Sequence, residues 1–123
     1  MSDIHCKELW YTGPNGEQLC ALINDRRGWL MYLRDPEDVG FSSRNPDYDG
    51  PADATIDYVL SNGQVDSYPA AWAYPTDIVM KAVEHFILTG LAAPFVRWHN
   101  DAGDGQEPPL ESIDNVVKRT YPP

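Results

Sequence analysis

Oxygen-bearing side chains crowd the run Asn45-Pro46-Asp47-Tyr48-Asp49-Gly50-Pro51-Ala52-Asp53. Ligands at its first, third, fifth and ninth positions with glycine at the sixth imitate a calcium loop. The imitation ends at the twelfth position, where Ile56 stands instead of a bidentate glutamate, and two prolines stiffen the run. It reads as a solvated acidic loop that binds no metal. Zinc has as little support: Cys6, Cys20, His5, His85 and His99 contain no C-x-x-C pair, and no two histidines are spaced to share a helix face. Nucleophilic catalysis would need a G-x-S-x-G elbow or a cysteine-protease signature, and Ser42-Ser43 lies in neither context. A hydrolytic carboxylate pair can be drawn from any acidic chain and so has no weight here. These residues make no positive case for an enzyme, and no cofactor is expected.

Recognition has more to work with. Nineteen acidic against nine basic side chains give a net charge of -10, which repels nucleic-acid phosphates and anionic membranes. The same charge speeds encounter with a basic protein, such as an enzyme that must itself grip DNA or RNA. Aromatic residues beside acidic loops build interfaces, so Tyr48, Trp72 and Tyr74 are candidate exposed anchors. Trp29 and Trp98, within apolar runs, are assigned to the core, as is Cys20, and His85 is placed on the solvent side of its helix.

The elements that position these groups follow from periodicity. Gln18 to Ile23 and Trp29 to Leu33 are apolar on both alternating faces, which marks central strands, with Asn24 to Gly28 as a five-residue hairpin loop. Lys7 to Tyr11 adds a strand ahead of them, with Thr12 to Gly16 as its turn. Asp35 to Asp53 is rich in Pro, Gly, Asp, Ser and Asn and reads as one long surface loop. Thr55 to Ser61 and Gln64 to Tyr68 flank Asn62-Gly63, which suits a two-residue type I′ turn. That turn would set Leu60 opposite Val65 and Tyr58 opposite Ser67 on one face, with Val59 and Asp66, and Asp57 and Tyr68, on a wetter one.

Pro75 suits a first helical position, Asp77 complements the helix N-terminus and Gly90 ends the helix. Val79, Ala82, Val83, Phe86 and Ile87 recur at helical spacing between them. Phe95 to Trp98 reads as a returning strand and residues 101–109 as a linker. Leu110, Ile113, Val116 and Val117 are compatible with a short C-terminal helix.

The expected fold class is therefore α+β: an antiparallel sheet of about five strands with one main amphipathic helix on one face. A length of 123 residues bounds this to one domain over residues 1–123, with 105–123 as a C-terminal extension. A hydrophobic content of 42% argues for a packed core over disorder. Met1 to His5 shows no basic patch followed by an apolar run, and no apolar stretch approaches the roughly 20 residues that span a bilayer. A cytoplasmic protein with free thiols is expected.

Leu60-Ser61-Asn62-Gly63-Gln64-Val65-Asp66-Ser67-Tyr68-Pro69, Ala82 to Phe86 with Thr89-Gly90, and Phe95-Val96-Arg97-Trp98 resemble an immunity-protein family of bacterial polymorphic toxin systems. Upstream, Gly28 to Leu33 and Asp38 to Pro46 extend the resemblance, which covers about residues 18 to 104. Order and spacing carry its specificity, since each piece is short. The resemblance implies a small α+β antidote without catalytic activity, encoded beside a toxin, often one with a nucleic-acid deaminase domain, and neutralising it by binding. The toxin-facing surface is then expected at Asp35, Glu37, Asp38, Asp47, Tyr48, Asp49 and Asp53, with Trp72, as an acidic mimic of nucleic acid aimed at a basic cleft. A second reading is an accessory protein that binds a small molecule, with the aromatic residues around Trp72 and Trp98 as pocket walls. A third, weaker one is an acid-base enzyme using the abundant carboxylates.

Overall fold

The structure is a computed structural model that describes residues 6–110. Strands β1 (Cys6–Thr12), β2 (Gln18–Asn24), β3 (Arg27–Leu33) and β4 (Phe41–Arg44) are followed by a hairpin of β5 (Thr55–Val59) and β6 (Val65–Pro69). A 3-10 turn at Ala70–Trp72, the two-residue strand β7 (Tyr74–Pro75), helix α1 (Thr76–Thr89) and strand β8 (Arg97–Asn100) complete the order. The main sheet runs β1-β2-β3-β4-β8, all antiparallel, with β7 paired to the first residues of β3. The fold is α+β, with α1 on one face of this sheet and the β5–β6 hairpin on the other.

Both-sided burial explains the near-continuous apolar runs of β2 and β3. Leu19, Ala21, Ile23, Leu30 and Tyr32 belong to the core under α1, together with Val79, Ala82, Val83 and Phe86. The alternate residues Cys20, Leu22 and Trp29 pack with Tyr58 under the hairpin, joined by Met31, Ile56, Tyr68 and Trp72. Trp29 stacks on Tyr68 at 4.4 Å and 7°. Fully burying one such large side chain stabilises the fold by about 1.5–3 kcal/mol.

Several expectations are corrected. The β2–β3 loop is two residues long, because Asn24 pairs with Arg27 and Asp25 takes the left-handed conformation at φ 56°, which Asp tolerates better than most residues. The segment 35–53 is not one surface loop, since β4 lies inside it, between β3 and β8. Its composition hides a buried strand because Ser42 and Ser43 are buried with their hydroxyls satisfied. Ser43 Oγ accepts from Leu30 N at 3.1 Å and donates to the Trp72 carbonyl at 2.9 Å, and Ser42 Oγ donates to Asp101 at 2.6 Å.

The hairpin register is one residue off the expected one: Val59 faces Val65, Tyr58 faces Asp66 and Ile56 faces Tyr68. Leu60 N donates to Gln64 O at 2.7 Å and Gly63 N to Leu60 O at 2.9 Å. Gly63 has φ 88° while Asn62 has no positive φ. This is a three-residue loop with a left-handed glycine, and it turns Tyr58 and Tyr68 together toward the core.

Pro75 stands one residue before α1, in extended backbone at φ -55° and ψ 144°, and pairs with Arg27. Gly90 ends the helix at φ 74° as expected. Ile87 is 62% exposed and lies off the buried face. Strand β8 starts two residues later than read, because Phe95 is half-exposed while Arg97 to Asn100 pair with β4. His85 is half-buried rather than exposed, its ring edge-on to Phe95 at 6.4 Å. Cys6 and Cys20 are free thiols, Cys20 buried. The C-terminal helix pattern lies outside the described residues beyond Leu110, as does His5. No helix among the described residues is long and apolar enough to cross a membrane.

Candidate functional site

The β2–β3 turn, the loop after β4 and the start of α1 meet at one end of the sheet. Thr76 ties them, its N–H donating to the Arg26 carbonyl at 2.9 Å and its hydroxyl to the Asp25 carbonyl at 2.9 Å. Asn45 anchors the loop: its N–H donates to Ala71 O at 3.0 Å, its side-chain amide donates to Ala73 O at 3.0 Å, and its side-chain oxygen accepts from Asp47 N at 3.0 Å. That use of Asn45 as a backbone clamp is a role for the first position of the calcium-like run that needs no ion. Tyr48 closes the loop on itself by donating its hydroxyl to Pro51 O at 2.8 Å.

Between these pieces lies a cavity of about 560 Å³, within the range of ligand pockets. Ala73, Tyr74, Pro75, Ile78 and Phe95 give it apolar walls, and Arg26, Arg27, Asp47, Tyr48 and Asp49 stand around them. Arg27 lies 6.0 Å from the centre of the Tyr48 ring. Tyr74 is buried rather than an exposed anchor. Its hydroxyl donates to Arg44 O at 2.7 Å and accepts from Arg97 N at 2.9 Å, which pins β8 to this end.

The expected acidic surface divides in two. Asp35, Glu37 and Asp38 lie past the far end of β3, and Asp47, Tyr48 and Asp49 beside its first residue; six steps of strand, roughly 20 Å, separate them. At the far end Asp38 is already occupied. Its carboxylate receives Arg34 Nε at 2.7 Å, Nη2 at 2.8 Å and the Arg34 N–H at 2.9 Å, and these contacts hold its pKa down at about 2. Arg34 also reaches Asp104 at 2.9 Å, and Asp35 accepts the Glu37 N–H.

At the cavity end no carboxylate is in an ion pair among the described residues, as is also true of Asp35 and Glu37 at the far end. Ion pairs among the described residues involve Arg34, Arg44 and His99 with Asp38, Asp101 and Asp104, and Asp25, Asp47, Asp49, Asp53 and Asp77 are in none of them. Asp53 is exposed in the turn that leads into β5.

Trp72 is on the hairpin side, stacked near Tyr68 at 6.0 Å with the Arg44 guanidinium 3.6 Å from its ring centre. Trp98 packs on the α1 side, its indole donating to Ala93 O at 2.9 Å. Trp72 and Trp98 are thus on opposite faces of the sheet, while Tyr74 and Phe95, aromatic residues near them in sequence, line the cavity. Sequence reasoning missed Arg26, Ile78 and Phe95 as cavity residues; their only signal was position next to a turn, a helix start and a strand start.

Residues 2–100 match the family model described as immunity protein Imm1, a span that ends on the last residue of β8. No curated protein and no solved structure matches the chain. With most of its length, and every strand and helix described above, inside that match, the chain belongs to the Imm1 family of immunity proteins.

Proposed function

We propose that this immunity protein neutralises one cognate bacterial toxin by stoichiometric binding in the cytoplasm, without catalysis, and that the cavity end of the sheet faces the toxin. The observation that supports this choice of end is the grouping of unpaired carboxylates beside an aromatic-walled cavity. Among the described residues, ion pairs take up Asp38, Asp101 and Asp104, while Asp47 and Asp49 on the cavity lining and Asp25 and Asp77 next to it in sequence are in none, a state that Asp35 and Glu37 at the far end share without the cavity.

An unpaired acidic rim on a chain of net charge -10 complements a basic cleft, as a nucleic-acid deaminase or nuclease domain must have. Asp47, Tyr48 and Asp49 of the expected surface line the cavity, and Asp53 follows four residues after Asp49. The test is association with the toxin domain encoded beside this chain, followed by surface plasmon resonance at two salt concentrations. Asp47→Lys, Asp49→Lys and Asp53→Lys combined should slow association at least tenfold and flatten its salt dependence. Unchanged rates would reject this end as the toxin-facing one.

A further inference from the structure

The charges around the cavity decide what it can hold. Its lining carries Arg26 and Arg27 against Asp47 and Asp49, two of each sign. A cation inserted there would meet both arginines, and an anion both aspartates, so neither gains a net partner for the hydration it loses. The walls are Ile78, Pro75 and Ala73 with the rings of Tyr48, Tyr74 and Phe95. Phe95 is 50% exposed, a large apolar side chain held at a cavity mouth with one side uncovered. A neutral ring suits this lining. It can stack on Phe95 and Tyr48, and its π-face accepts the guanidinium of Arg26 or Arg27, neither of which is in an ion pair among the described residues. The volume of about 560 Å³ exceeds what an indole needs.

Just outside the lining, Asp25 precedes Arg26 and Asp77 precedes Ile78, both exposed and in no ion pair among the described residues. They make the surround acidic although the lining is balanced. We infer that the cavity receives one aromatic side chain of the toxin, carried on a segment whose flanking residues are basic. This rests on the toxin-binding reading for its partner, and on the cavity alone for its chemistry. Desolvated aromatic anchors seated in pockets and ringed by weaker polar contacts carry most of the affinity in many interfaces.

Two measurements test it. In the first, 15N-labelled protein is titrated with 3-methylindole, 4-methylphenol and butylguanidinium as side-chain probes. The two ring probes should shift the amides of Arg27, Tyr48, Ile78 and Phe95 with dissociation constants on the order of 1 mM, and Phe95→Ala should weaken them at least fivefold. Tighter binding of butylguanidinium at these residues, or no binding by any probe, overturns the inference. In the second, Phe95→Ala should weaken toxin binding at least tenfold, whereas Leu88→Ala, equally apolar, 76% exposed and at the other end of α1, should stay within twofold. If the wild-type chain binds the toxin but Phe95→Ala binds as well, the anchor is wrong and the antitoxin reading stands. If the wild type binds no toxin, that reading falls while the probe titration still judges the cavity.

Discussion

The guanidinium carbon of Arg44 lies 3.6 Å from the centre of the Trp72 ring. Around that contact, Nη1 donates to Ser42 Oγ at 2.9 Å and to the Ser43 carbonyl at 2.8 Å, and Nη2 approaches Asp101 at 3.8 Å. One side chain therefore joins β4, the 3-10 turn ahead of α1 and the chain after β8. Arg44→Ala should cost about 2 kcal/mol, from the lost cation–π contact and the hydrogen bonds. Arg44→Lys, keeping the charge without the planar fork, should cost about half of that. Urea unfolding followed by tryptophan fluorescence reads both.

Two glycines with positive φ make opposite predictions. At Gly40, φ 87°, an added Cβ would run into the Tyr32 carbonyl oxygen, which is backbone and cannot yield, and into Leu33 Cδ2 at 2.5 Å. At Gly63, φ 88°, nothing lies within 4 Å. Gly63→Ala should cost about 1 kcal/mol of left-handed strain, while Gly40→Ala should cost about 2–4 kcal/mol. Equal midpoints in thermal unfolding would contradict this assignment.

Acid should act on Asp38. Its folded pKa is held at about 2 against an ordinary 3.8 by the Arg34 contacts. A depressed carboxylate contributes stability that is complete above the unfolded value and disappears as pH falls through the folded one. Asp38→Asn should therefore be about 1–2 kcal/mol less stable than wild type at pH 7. That gap should shrink between pH 4 and pH 2, as followed by urea midpoints across that range.

The two thiols should differ in reactivity. Burial, with Glu8 nearby, pushes the Cys20 thiol up to about 12, so it is neither ionised nor reachable in the folded protein at pH 8. Cys6 is half-buried at the start of β1. Ellman's reagent should titrate one thiol quickly in the native state and two in denaturant, and Cys6→Ser should abolish the fast phase.

The two acidic ends should not be interchangeable. Asp35→Lys with Glu37→Lys, beyond the far end of β3, should leave toxin association within about threefold, the residual effect being the change in net charge. The same number of reversals at Asp47 and Asp49 should slow it by tenfold or more. Equal losses would show that net charge, and not the cavity end, governs the encounter.

Local rules carried much of the fold. The central strands β2 and β3 show in their two-sided apolar runs, α1 in the spacing of Val79, Ala82, Val83 and Phe86, and its end in Gly90. The family resemblance was already present in the ordered pieces around Gly63, Phe86 and Trp98. These features depend on neighbours a few residues away, and periodicity records such neighbours.

Strand β4 did not show, because burying Ser42 and Ser43 depends on partners 13 to 59 residues distant: Leu30, Trp72 and Asp101. The hairpin register turned on whether Asn62 or only Gly63 takes a positive φ, and burial of Tyr58 and Tyr68 under one sheet face accompanies the second choice. His85 and Phe95, ten residues apart, read separately as a solvent-side helix position and a strand start; packed together they are a half-buried pair.

The candidate surface divides along the same line. Composition and family determined that the chain is an acidic immunity protein, because charge and pattern are sums over residues. Which acids are paired was decided in part by tertiary structure: Arg34 meets Asp38 only four residues on, but it reaches Asp104 only once the ends of β3 and β8 are brought together. Folding thus pairs Asp38 and Asp104 with Arg34 at one end of the sheet, and at the other closes an aromatic-walled cavity, with Asp47 and Asp49 in its lining, from three segments that the sequence keeps apart.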